Sequence, residues 1–142
     1  MGFCGRMRDV SRLRIAVIHV AVPLVLGAAT YVALRSWVPL IGVHGALFRS
    51  APALLRDHFA DAAWGWALGG FVSVMWLGEK RIYLALWTVA AVMLAAGLEL
   101  LQAAARWGTF DRGDLVAQTA AVALAAITIG GMHRWTSARE AH

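Results

Sequence analysis

Four long apolar runs dominate this chain and leave few folds open to it. They cover Leu13 to Leu34, Phe59 to Leu77, Ile82 to Ala105 and Asp114 to Gly131. Charged residues within them are rare: Arg14 near the start of the first, Asp61 in the second, Glu99 in the third, and Asp114 opening the fourth. Each run can cross a hydrocarbon core of about 30 Å at about 1.5 Å per helical residue. A backbone in lipid must satisfy its own hydrogen bonds, so all four runs are predicted to be helices. Composition agrees. The chain has 142 residues, 61% of them hydrophobic and 15% charged, whereas a soluble domain has roughly 45–50% apolar and about 25% charged residues. That balance argues against a soluble globule and against a disordered chain. The expected fold class is all-α: a polytopic membrane protein with four transmembrane helices in a compact bundle.

The runs also organise the chain. Residues 1–12 form a basic N-terminal segment, 13–131 a single transmembrane domain, and 132–142 a C-terminal tail. The first run is longer than the apolar core of about 7–15 residues in a signal peptide, and no clear A-x-A site follows it, so it is expected to be a retained helix. Cys4 is the only cysteine, which excludes an intrachain disulfide and a cysteine-based zinc site. The net charge of +5 comes from residues in the gaps between apolar runs. That distribution suits a membrane protein, and no nucleic-acid partner is expected.

Four spans put both termini on one side. Arg6, Arg8, Arg12, Arg14, Lys80, Arg81, Arg134 and Arg139 share that side; Arg35, Arg49, Arg56, Arg106 and Arg112 lie on the other. The excess of basic residues predicts cytoplasmic termini. The segment Arg35 to Asp57 is too long and too apolar for a simple loop, and is expected to lie on the outer interface with a short amphipathic helix.

The acids are less evenly spread. Asp57, Asp61, Glu99, Asp111 and Asp114 all fall at the outer ends of helices two, three and four, five of the eight acids in the chain. Glu99 and Gln102 are three apart, Asp114 and Gln118 four apart, and Asp57, Asp61 and Trp64 follow at i, i+4 and i+7. Such spacings share a helix face. Ionisable groups in hydrocarbon are costly and normally face the bundle interior. Asp61, Trp64, Glu99, Gln102, Asp111, Asp114, Gln118 and Arg56 are therefore the candidate pocket residues. Plainer roles compete for several of them. Asp111 and Asp114 fit helix capping, and Asp57 fits either an N-cap or a partner for Arg56. Asp61 and Glu99 fit structural ion pairs with Arg49, Arg56 or Arg106. His19, His44 and His58 lack local ligand spacing, so neither a metal nor a cofactor is expected. Gly65 and Gly69, together with the stripe Ala117, Ala121 and Ala125, predict close helix packing.

The E-x-x-Q at Glu99 and Gln102, the D-x-x-D at Asp111 and Asp114, and Gln118 beyond it resemble the VanZ-like family of small bacterial membrane proteins. Upstream, Arg56-Asp57 and Asp61 to Trp64 resemble that family's earlier Asp-bearing helix. The likeness spans roughly Pro52 to Ala125. Three positions depart from the family pattern: Gly108 stands where an Arg is common, Gln118 where an Asn is, and Ala121 where a Gly is. The resemblance implies a VanZ-like domain over 13–131, a multi-pass protein of the bacterial cytoplasmic membrane and cell envelope, and a link to glycopeptide antibiotic resistance.

Three functions follow as expectations. The first is binding of a lipid-linked or cell-wall headgroup by the outer pocket, with arginines meeting phosphate or carboxylate. The second is a membrane enzyme using Glu99, Asp114 and Asp61 as acid-base groups on a lipid headgroup. No nucleophile elbow, metal pair or P-loop supports that alternative. The third is a structural subunit of a membrane complex. The expected partners are membrane lipid, a lipid-linked envelope precursor, and an oligomeric or protein partner.

Overall fold

The computed structural model describes residues 12–34, 52–105 and 111–140. The interfacial helix expected between Arg35 and Asp57 falls almost wholly outside them. The described residues form four long helices. The first, α1, spans residues 12–34; its π-helical turn Val17–Ala21 leads into Val22–Leu34. The others are α2 (Ala53–Met75), α3 (Arg81–Ala105) and α4 (Arg112–Glu140). No strand occurs among the described residues.

Three segments are long and apolar enough to cross a membrane: Arg12–Val32, Arg81–Ala105 and Arg112–Trp135. Their outer faces carry the residues a soluble protein buries. Val25, Met93 and Ile127 are 66%, 67% and 70% exposed, far beyond the scattered apolar exposure of a soluble surface. The interior is built of small residues instead, with Ala67, Ala95, Ala121 and Ala125 buried.

Helix α2 lies between α1 and α4, and its contacts explain its composition. Gly65 and Gly69 face α4, where an added Cβ would run into the backbone oxygens of Gln118 and Val122. The small residues predicted to allow close packing thus bring two backbones together. These contacts make α2 and α4 parallel neighbours, 65 beside 118 and 69 beside 122. The opposite flank meets α1 in antiparallel fashion. Arg12 donates to the Leu77 carbonyl at 2.8 Å, and Trp66 Nε1 donates to His19 Nδ1 at 3.3 Å.

The π-turn in α1 has a local cause. Pro23 has no N–H and crowds the carbonyl of His19 four residues back. The helix widens there, Val22 N–H bonding back to Val17. The freed His19 carbonyl oxygen then sits against Gly70 of α2, where a side chain would collide with it.

Helix α3 touches the bundle along one stripe, Ala91, Ala95 and Glu99, at i, i+4 and i+8. The turn between α2 and α3 closes at Gly78, with φ +88°. Trp76 stacks there on Trp87 at 5.7 Å and meets Tyr83 at 5.5 Å.

Two boundaries differ from the sequence expectation. Helix α2 starts six residues earlier than Phe59, with Pro52 at its N-cap, because Ala53 and its successors form good helix without a break. Asp57 therefore lies inside the helix, and an N-cap role for it is ruled out. Helix α4 runs to Glu140, so most of the expected tail, 132–140, is helical. Gly130 and Gly131 weaken a helix by only about 1 kcal/mol each and do not end it.

Candidate functional site

The sequence pattern at Asp111 starts the site. Asp111 precedes α4 and accepts a hydrogen bond from Gly113 N–H at 2.7 Å, while its carbonyl accepts from Leu115 N–H at 3.3 Å. It is the N-cap of α4, as the D-x-x-D spacing allows. Asp114, in the first turn, suits the positive end of the helix dipole.

Asp114 has a partner the sequence did not suggest. His58 of α2 bonds through Nδ1 to Asp114 Oδ1 at 2.5 Å, across 56 residues of chain. Both side chains are largely buried, at 16% and 24% exposure. Gly113 makes the approach possible, since a Cβ there would strike the imidazole. One ligand atom each from His58, Asp111 and Asp114 lies within 4.8 Å of the others. His58 precedes the apolar run of α2. Its imidazole is held above the ordinary value of 6.5, first by the hydrogen bond to Asp114, against desolvation, and then by the charges of Asp114, Asp111 and Asp57.

Glu99 of α3 and Asp61, three residues beyond His58 on α2, lie near the group. Glu99 continues the inward stripe of α3 and is 7% exposed. Its carboxylate feels the charges of Asp114 and Asp111. The half-buried Asp61 feels those of Asp114 and Glu99. Glu99 has no hydrogen-bond or ion-pair partner among the described residues. One turn below Asp114, the buried Oε1 of Gln118 also lacks one. The described part of the site thus gathers four carboxylates, an imidazole and a free amide oxygen.

The remaining candidates lie elsewhere. Arg56 is taken up by its neighbour Asp57, Nε to Oδ1 at 2.8 Å, with both side chains at least 41% exposed. It contributes no positive charge to the cluster, because adjacent residues on a helix pair locally on its outer side. Trp64, expected in the pocket, packs on α1 instead. It meets Tyr31 at 5.3 Å and covers Gly27, whose absent Cβ leaves room for the indole. Gln102 is exposed on α3, since three residues beyond Glu99 the helix has turned past the narrow contact stripe. Arg49 and Arg106, the other expected counter-charges, lie outside the described residues.

Sequence reasoning passed over His58 because it sought ligand partners nearby in the chain. The available signal was its position three residues before Asp61, on the same helix face. Comparison with protein-family models, with curated proteins and with solved structures finds no match to this chain.

Proposed function

We propose that this chain is a VanZ-like protein of the bacterial cytoplasmic membrane that binds a lipid-linked or cell-wall headgroup at its acid-rich end. In this reading α2 is a fourth span, sheltered by α1 and α4, and both termini are cytoplasmic. Its lower apolarity follows from its central place: glycine, alanine and Asp61 replace the large residues that face lipid on the other helices.

The observation that carries the reading is Glu99. Little of Glu99 is exposed, and its carboxylate has no hydrogen-bond or ion-pair partner among the described residues; an acid held among apolar helices is normally offset by a partner. A headgroup rich in hydroxyl, amide or ammonium donors supplies such partners to Glu99, Asp61 and Gln118. The acceptor-rich site favours donor groups over the phosphate-to-arginine contact expected from the sequence, because Arg56 is already engaged by Asp57.

The experiment compares Glu99→Gln and Asp114→Asn with the parent protein. Both variants should insert and accumulate normally, while losing binding to a lipid-linked cell-wall precursor measured in nanodiscs. Full binding by both variants would sink the headgroup reading. Loss of abundance in both would favour the structural-subunit alternative. The enzymatic alternative draws on the imidazole of His58, oriented by Asp114 as a general base would be; product formation from the same precursor tests it.

A further inference from the structure

The geometry points to a divalent metal site formed by His58, Asp111 and Asp114. One imidazole and two carboxylates offer ligand atoms within 4.8 Å of one another. They come from two helices that small residues hold together: Gly65 and Gly69 fix α2 against α4, and Gly113 gives the imidazole its place. The site is therefore built by the packing of the bundle, and two of its three donors are more than three-quarters buried.

A second observation points to a cation independently of that trio. Glu99, on a third helix, is 7% exposed, faces the same acids and has no hydrogen-bond or ion-pair partner among the described residues. The like charges of Asp111, Asp114 and Glu99 repel one another. A divalent cation turns that repulsion into coordination, and no Lys or Arg among the described residues forms an ion pair with these acids. The Nδ1 to Oδ1 contact of His58 and Asp114 is the proton-bridged form of the same pair; the cation would take the place of that proton.

The donor set selects the kind of metal. One imidazole nitrogen and two carboxylates suit Mn²⁺ or Zn²⁺, whereas Mg²⁺ and Ca²⁺ prefer oxygen alone. This inference uses the cluster's geometry and does not require the headgroup reading, although a bound cation would also let an acidic site accept an anionic headgroup.

The test uses the full chain in detergent, freed of its purification tag and stripped with a chelator, with no lipid precursor present. Titration with MnCl₂ or ZnCl₂ should give saturable binding of one ion per chain. His58→Ala and Asp114→Asn should each weaken it by at least about tenfold, the usual scale for disturbing a metal site's supporting groups. Glu79→Gln, at the exposed turn between α2 and α3, should leave it unchanged. Mn²⁺ bound to the unaltered protein should show nitrogen hyperfine coupling in its electron spin-echo spectrum, a readout that needs no variant to fold. Absence of saturable binding, absence of nitrogen coupling, or binding that survives both His58→Ala and Asp114→Asn would each overturn the proposal. Equal competition by MgCl₂ would overturn it as well, since it would mark an oxygen-only surface site.

Discussion

The two ends of the bundle are built on opposite principles. At the turn end, the described contacts are ordinary packing and hydrogen bonds. Arg12 bonds the Leu77 carbonyl, Gly78 closes the turn, and Trp76 packs on Tyr83 and Trp87. At the other end, Asp111 and Asp114 gather at the His58 imidazole, and Asp61 and Glu99 lie near enough to feel the charge of Asp114. The first arrangement is what stability alone would select. The second holds like charges near one another, one of them on the buried Glu99, a cost that structure by itself does not recover. The contrast teaches where function is to be sought: at the end whose groups are arranged against stability, in the manner of binding sites.

Substitutions can break this contrast or sharpen it. The largest effect is expected where both ends depend on the same packing. Gly69→Leu would drive a side chain into the Val122 backbone. It should destabilise the protein by about 3 kcal/mol or more, beyond ordinary overpacking because the obstacle is backbone. Unfolding in a denaturing detergent, followed by tryptophan fluorescence, would show it. Next comes a change of opposite sign. In chelator-treated protein at alkaline pH, Glu99→Gln removes a buried charge that has no counter-ion among the described residues, and should stabilise by about 1–3 kcal/mol. A lower midpoint than the parent in the same assay would mean that Glu99 is a paired structural acid.

At the turn end the corresponding variant should only harm. Gly78 sits at φ +88°, where an L side chain costs about 1–2 kcal/mol. Gly78→Ala should lower the midpoint by that amount and leave ligand and metal binding intact. The smallest effect is the pH dependence of the His58–Asp114 pair. The imidazole's value is raised in the folded protein, chiefly by its hydrogen bond to Asp114. Its stabilising contribution is then fully present below 6.5 and is lost as pH rises through the raised folded value. Thermal midpoints of the chelator-treated protein should fall across that window, and His58→Gln should flatten the fall. An unchanged slope in the variant would show that the imidazole does not carry it.

Much of the fold was legible residue by residue. The runs beginning at Leu13, Ile82 and Asp114 became helices long and apolar enough to span, because a lipid environment leaves the backbone few other choices. The pair Gly65 and Gly69 announced a close helix contact, since only small residues let two backbones approach so closely, and the structure makes α4 the partner. The site was legible in part. Glu99 faces inward, as the cost of charge in hydrocarbon requires. Trp64 and Arg56 did not join it, because shared helical spacing says which residues lie on one face and not which neighbour that face meets.

Sequence alone therefore determined the class of the protein: apolar helices, small residues for close packing, and acids collected toward one end. Those properties follow from local chain chemistry and the solvent it suits. Tertiary structure decided which acids become neighbours. His58 meets Asp114 across 56 residues only because α2 and α4 run parallel with their small faces together. Each helix's rotation about its own axis is fixed by interlocking side chains from other helices, and no single segment encodes it. That rotation sends Asp57 outward to Arg56, turns Trp64 to α1, and leaves Glu99 facing the acids of α4.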